Sequence, residues 1–392
     1  MNPTPREIYM DYAASTPVTA AVVEAMLPHF SEIYGNPSSL HRQGRAGARA
    51  VDQSRQTIAH ILNCQPNEIV FTSCGTEASN LALRGVALAQ RARGRGDHLV
   101  VSAVEHKAVL QTAHDLVDRY GFTLTEVPVD RSGIVAVADV MAAIRPETVL
   151  VSVMYANNEV GSIQPLAEIG AQVQAAGIPF HTDAVQAGGS LPLDVEDLHV
   201  DMLSLSAHKF YGPKGIGLLY VRHGVPLWPQ IPGGSHEHKR RAGTENVPYV
   251  VGMAKALEIA QMSRVNTTGH LSILRDRLIN RLLREIPGLH LTGHRNHRLP
   301  NHASFLIGGV EVQGVLMGLD MAGIAASSGS ACTSAAQEPS HVLTAMGISA
   351  IDAAGHLRLT LGHSSTDEDI EVVAETLVPL VARLRKMSSV YA

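Results

Sequence analysis

Between Glu68 and Tyr220 the chain alternates short β-branched apolar runs with stretches of helical periodicity, and this rhythm narrows the possible folds more than any other feature. The apolar runs fall at Ile69–Thr72, His98–Ser102, Val149–Met154, Ile178–Thr182, Met202–Ser206 and Ile216–Val221. Helix-like patterns such as Glu77–Arg91, Ala108–Tyr120 and Leu166–Ala176 lie between them. Strands spaced by helices predict an α/β architecture, a mostly parallel sheet with helices on both faces. Upstream, Arg42–Leu62 has the spacing of one amphipathic helix ending near Asn63. The segment Pro226–Glu245 holds Gly, Pro and charge without periodicity, the composition of a long functional loop. Past it come two helical stretches, Val247–Gln261 and Leu271–Arg284, then strand patterns at Ala303–Ile307 and His356–Leu361 and a helix over Glu368–Lys386. The expected division is a large domain over 16–252, with 1–15 and 253–392 forming a smaller α+β domain.

Composition limits the function. Of 392 residues 45% are hydrophobic, which excludes a disordered chain. A formal net charge of −5 and an aromatic content of 4% leave no footprint for nucleic acid or an anionic membrane. The N-terminal residues lack the basic and apolar regions of a signal peptide, and no apolar run reaches the ~18 residues of a membrane span. Three cysteines, Cys64, Cys74 and Cys332, form no disulfide framework and no C-x-x-C pair. The expected compartment is a reducing cytoplasm, where a lone cysteine stays a thiol available for chemistry.

Three motifs carry candidate chemistry. In Asp201-Met-Leu-Ser-Leu-Ser-Ala-His-Lys209 a lysine follows an apolar strand. It is either a surface charge or a Schiff-base lysine whose amine is made reactive by desolvation, with Ser206 and His208 beside it as phosphate ligands. In Phe180-His-Thr-Asp-Ala-Val-Gln186, Asp183 ends a strand where open α/β sheets bind ligands. It is either a helix N-cap or the carboxylate that keeps a pyridinium nitrogen protonated, with Gln186 reaching the same ligand. In Phe71-Thr-Ser-Cys-Gly-Thr-Glu77 a strand turns into a helix, and Gly75 and Thr76 would offer amides and a hydroxyl to a phosphate.

Together with Tyr9-Met-Asp-Tyr-Ala-Ala, Gly35-Asn-Pro-Ser-Ser, Glu105-His106-Lys107, Asn157-Asn-Glu-Val-Gly161 and Arg240-Arg-Ala-Gly-Thr-Glu-Asn246, these motifs closely resemble the pyridoxal-phosphate-dependent cysteine desulfurases that serve nitrogen fixation and iron–sulfur cluster assembly. Those enzymes are fold-type I members of the class V aminotransferase family, and the resemblance covers nearly the whole chain. Ser327-Ser-Gly-Ser-Ala-Cys332-Thr-Ser resembles their catalytic-cysteine loop, here about 325–338, in the group with the longer loop. The sequence departs from the family at Cys74, Gly75 and Thr360, and at the His236/His238 pair.

The resemblance implies conversion of L-cysteine to L-alanine, with sulfur left as a persulfide on Cys332 for delivery to acceptors. It implies that Lys209 holds pyridoxal 5′-phosphate, that His106 stacks on its ring and relays protons, and that Asn157 contacts cofactor and substrate. Arg358 would clamp the substrate carboxylate, a task suited to guanidinium geometry. Thr244 would reach the cofactor phosphate of a partner subunit in a homodimer. Independently of the family, the Ser, Gly, Ala and Thr around Cys332 describe an accessible loop, whereas Cys64 and Cys74 flank apolar elements and have a structural character. The expected partners are L-cysteine, a sulfur-acceptor protein and a second copy of the chain, with no nucleic acid and no membrane. Among 20 histidines, His236/His238 and His294/His297 are too sparse for a closed metal site, so no resident metal is expected. Cys332 would at most meet a cluster held by an acceptor. The competing readings are a class V aminotransferase, which needs no cysteine loop, a selenocysteine lyase, and a catalytically silent docking scaffold.

Overall fold

The computed structural model describes residues 7–329 and 339–388. A short first strand, β1 (Ile8–Tyr9), precedes seven strands that form one sheet: β2 (Ile69–Thr72), β3 (His98–Ser102), β4 (Thr123–Val127), β5 (Thr148–Ser152), β6 (Phe180–Asp183), β7 (Met202–Ser206) and β8 (Gly217–Val221). Their spatial order is β2-β8-β7-β6-β5-β3-β4. The pairs from β4 through to β7 are parallel, while β8 runs antiparallel to both β7 and β2.

The reason these strands read as unbroken apolar runs lies in how the sheet is covered. Ile69 and Phe71 of β2 enter one hydrophobic core, and Val70 between them enters another on the opposite face. Leu218 and Tyr220 of β8 share the first core, and Leu219 and Val221 share the second. Both faces are buried, so neither set of alternating side chains needs to be polar. The exception is β4, an edge strand of sequence Thr-Leu-Thr-Glu-Val that is partly exposed along most of its length. Its polarity is why the apolar pattern alone does not reveal it.

A third core is built on a smaller antiparallel sheet, β9 (Leu289–Leu291), β10 (His302–Ile307) and β12 (His356–Thr360), in the order β12-β10-β9. Between them in sequence, β11 (Ile324–Ala325) pairs in parallel with β1. Ile8 and Met10 of the N-terminal segment pack in this core, as do Ile370, Val373 and Leu377 of the C-terminal helix Asp367–Ser388.

The two helices expected at Val247–Gln261 and Leu271–Arg284 are a single 39-residue helix, Val247–Glu285. Its first half contributes Val250, Met253 and Leu257 to the large-sheet core, and its second half contributes Leu271, Leu274 and Leu278 to the small-sheet core. The stretch between packs against neither, and Met262 and Val265 are 83% and 73% exposed. The apolar periodicity lapses there because the helix crosses solvent, not because it ends.

The Pro226–Glu245 segment contains one short 3-10 turn, His236–Lys239, in which Glu237, His238 and Lys239 all have positive φ. Three successive non-glycine residues in that region are costly unless held. Glu237 supplies the hold. It is buried, pairs bidentately with Arg55 at 2.9 and 3.0 Å, and accepts the Phe71 N–H at 3.0 Å. The Arg55 guanidinium also lies over the Phe71 ring. Among the described residues no helix is long and apolar enough to cross a membrane.

Candidate active site

Parallel strands present their C-terminal ends on one edge of the sheet, and in open α/β sheets ligands bind along that edge. Here a cavity of about 970 Å³ opens there. His106 follows β3, Asp183 ends β6, and Ser206 and Lys209 end and follow β7; all four line the cavity. Gly75 and Thr76 line it from the first turn of helix Gly75–Ala92, and Arg358 reaches it from β12 of the smaller sheet.

The turn at Cys74 shows why its sequence is unusual. The Cys74 sulfur caps the helix, accepting the Glu77 N–H at 3.5 Å, and the Glu77 carboxylate accepts the Ser73 N–H at 2.7 Å. Gly75 permits close approach to the sheet, since a Cβ there would sit 2.7 Å from Val185 Cγ2 and 3.3 Å from Ser206 Cβ. Cys64 is half-buried, and burial pushes its thiol up to about 12, in keeping with a structural role.

Asp183 is 5% exposed, and its Oδ1 accepts the Val185 N–H at 3.0 Å. Burial raises its pKa, against the pull of His106 and Lys209. A carboxylate in such a place is stabilised by a cationic hydrogen-bond donor, which is what a protonated ring nitrogen would be. Below it His181 bridges Ser152 at 2.8 Å and Ser204 at 2.9 Å, tying β5, β6 and β7 together. Burial lowers the His181 pKa to about 3, so this bridge is neutral.

Lys209 donates from Nζ to the carbonyls of Ala13 at 2.6 Å and Ala14 at 2.8 Å, and Gln186 Nε2 donates to the same Ala13 oxygen at 3.0 Å. His208 lies 3.3 Å from Ser15 Oγ, and its pKa is lowered to about 4, first by burial and then by Lys209. His106 caps helix Lys107–Tyr120 through Nδ1, which accepts the Ala108 N–H, and burial lowers its pKa.

The Arg358 guanidinium is 3% exposed. Nη1 donates to the carbonyls of Asn158 at 2.8 Å and Gly329 at 3.2 Å, and Nη2 donates to Asp11 Oδ1 at 2.7 Å. Nε is buried with no partner among the described residues.

One expected site residue stands outside the cavity. Asn157 is fully buried and does not line the cavity. Its amide donates to the Val104 carbonyl at 3.0 Å and its oxygen accepts the Glu159 and Val160 N–H groups. The neighbouring Asn158 lines the cavity instead. Thr244 is exposed and does not line the cavity of its own chain. Cys332 lies outside the described residues. Their flanks do meet the site, however: Gly329, Ser340 and His341 line the cavity, Ser340 Oγ donates to Glu159, and His341 Nε2 bonds the Glu105 carbonyl at 2.9 Å. No local sequence pattern marks Asp11, Glu105 or His341 individually, although Asp11 lies in Tyr9-Met-Asp-Tyr-Ala-Ala and Glu105 in Glu105-His106-Lys107.

Comparison with known proteins agrees with this geometry. The aminotransferase class-V family model matches residues 8–373. A cysteine desulfurase IscS of Dictyoglomus turgidum is 45% identical over 383 residues, covering 98% of this chain and 96% of that protein. The cysteine desulfurase IscS of Methanosarcina thermophila is 48% identical over 383 residues, covering 98% and 94%. Among solved structures, a NifS-like protein superposes with a TM-score of 0.90 at 36% identity, covering 97% of this chain and all 100% of the other. SspA in complex with cysteine superposes with a TM-score of 0.79 at 36% identity, covering 90% and 98%. The chain belongs to the class-V aminotransferase family, and within it to the cysteine desulfurases.

Proposed function

We propose that this protein uses pyridoxal 5′-phosphate to convert L-cysteine to L-alanine, leaving the sulfur as a persulfide on Cys332 for transfer to an acceptor protein. The observation that carries this reading is the convergence of Lys209, Asp183, the Gly75–Thr76 helix start and Arg358 on one cavity. Among the described residues, no hydrogen bond takes the N–H groups of Gly75 and Thr76, which suits them to phosphate oxygens together with Ser206 and His208. Asp183 would hold the ring nitrogen, His106 would stack on the ring, Gln186 would reach the same group, and Lys209 would hold it covalently. Bound there, the cofactor supplies an electron sink for charge developing at the substrate α-carbon.

The chain's own residues do the rest. Arg358 retains Nε–H and one N–H of Nη2 after its contacts to Asn158, Gly329 and Asp11, and a substrate carboxylate taking both would be oriented in the cavity. The Lys209 amine would serve as the base that takes the substrate's α-proton. His106, kept neutral by burial, is placed to relay protons. Cys332, as thiolate, takes the substrate sulfur: a sulfur–sulfur bond forms, the carbon–sulfur bond breaks, and the three-carbon fragment leaves as alanine after protonation. Asn157 contributes by tying the Val104 carbonyl to the Glu159 turn, which lines the cavity.

The same reading places the protein in the cytoplasm as a homodimer in which Thr244 meets the partner's cofactor phosphate. Exposure of Thr244, together with a loop anchored by Arg55 and Glu237, supports that placement. The separate small-sheet core, which takes in Ile8 and Met10 and the helix from Leu271 onward, supports a division into 16–252 and a unit of 1–15 with 253–392, with Met253–Ala260 of the shared helix packed in the large-sheet core. The test is to supply the purified holoenzyme with L-cysteine and quantify alanine and persulfide. Equal yields of both in a single turnover, with the added sulfur on the Cys332 peptide, are expected; pyruvate or an amino-group product without persulfide would overturn the reading.

A further inference from the structure

The Arg358 guanidinium is buried, and its counter-charge comes from outside the cavity. Asp11 Oδ1 accepts from Nη2 at 2.7 Å, yet Asp11 does not line the cavity that Arg358 lines. The two side chains stand on backbones that are themselves fixed to each other. Asp11 and Thr360 form a bridge, the Thr360 N–H donates to the Met10 carbonyl at 2.7 Å, and the Ala13 N–H donates to Thr360 Oγ1 at 2.9 Å. The Asp11 carboxylate is 19% exposed. It therefore holds the guanidinium without itself lining the cavity.

We infer that Asp11 is the positioning residue that fixes the plane of Arg358 for the substrate's α-carboxylate. The inference rests on the proposed role of Arg358 and adds a residue to which no role has been given. A guanidinium has five N–H donors in one plane, so a carboxylate behind it can hold the plane while a second carboxylate binds in front. The two carbonyls on Nη1 restrain only one end of the group, and Asp11 restrains the other. A bidentate contact depends steeply on angle, so loss of this restraint weakens carboxylate binding even though it also removes a negative charge.

The experiment compares Asp11→Ala, Asp11→Asn, Arg358→Ala and the Asp11→Ala/Arg358→Ala double variant as cofactor-loaded enzymes. Two quantities are read: KM against kcat for L-cysteine, and the dissociation constant of the product L-alanine from its perturbation of the cofactor absorbance. Asp11→Ala is expected to raise both KM and the L-alanine constant about tenfold, the scale of one charged hydrogen bond, with the loss falling on KM rather than kcat. Asp11→Asn keeps an oxygen acceptor and should recover most of the loss. In the Arg358→Ala background, Asp11→Ala should have no further effect. If Asp11→Ala leaves both constants unchanged or lowers them while Arg358→Ala raises them, the positioning role is overturned and the reading of Arg358 stands. Equal effects in the two backgrounds, or Asp11→Asn as impaired as Asp11→Ala, also overturn it. If Arg358→Ala itself changes neither constant, the reading of Arg358 fails and the inference falls with it.

Discussion

The Lys209 amine donates to the Ala13 carbonyl at 2.6 Å, so the lysine at the end of the large sheet is held by a segment whose neighbours Ile8 and Met10 belong to the small-sheet core. Lys209→Ala should abolish covalent attachment of the cofactor and all turnover. Borohydride reduction followed by peptide mapping checks this; cofactor fixed on another lysine of the variant would show that the assignment is wrong.

Cys332→Ala should retain the cofactor, bind L-cysteine with the same change in absorbance, and lose persulfide. Mass spectrometry of the wild-type protein after one turnover is the check. Sulfur found on Cys64, whose thiol burial holds near 12, or on Cys74 would defeat the prediction.

Shared active sites predict complementation. Lys209→Ala and a Thr244→Ala variant that binds cofactor weakly should each be impaired alone. In a mixed dimer one site then collects both lesions and the other has neither. Activity should recover after subunit exchange, and exchange demonstrated by tagged subunits without recovery would rule the arrangement out.

Glu105 makes a pH prediction. It is fully buried, accepts from Ser102 Oγ at 2.6 Å and from the Met154 N–H, and burial pushes its pKa up to about 8. Its second oxygen has no partner among the described residues. The folded protein thus keeps a proton that the unfolded chain releases above its ordinary value near 4.5, so this group destabilises the fold progressively as pH rises from there towards 8. The slope is about 1.4 kcal/mol per pH unit for one proton. Glu105→Gln should flatten the fall in Tm across this window and raise Tm at pH 8, measured at fixed protein concentration. A Glu105→Gln profile parallel to wild type would mean that Glu105 is ionised in the fold.

The parts of this site that sequence reveals are those whose chemistry sits beside a regular element. Lys209, Asp183 and His106 each follow or end a strand with both faces buried, and Gly75 and Thr76 open a helix directly after one. An unbroken apolar run next to a polar or small residue marks such places without any knowledge of the fold. The edge strand β4 escapes because its exposed side chains have no reason to be apolar. The Arg55–Glu237 and Asp11–Arg358 pairs escape for a different reason: their partners are 182 and 347 residues apart, and neither carries a local pattern that points to the other. Asn157 and Asn158 show a third limit. Spacing places both at one turn, but only the backbone decides which of two adjacent side chains faces the cavity.

The helix Val247–Glu285 is one unbroken rod of 39 residues, about 58 Å long at the usual rise per residue. Rod and N-terminal segment together couple the two sheets mechanically: one is stiff in bending and torsion, the other is pinned by Lys209 and Gln186. Displacement of the small sheet, and with it Arg358, relative to Lys209 must therefore strain helical hydrogen bonds rather than slacken a tether. The stretch around Met262 and Val265, which contributes to neither hydrophobic core, is where that compliance resides. A proline placed there would soften the spring and let carboxylate grip and amine chemistry drift out of register, with every residue in the cavity left intact.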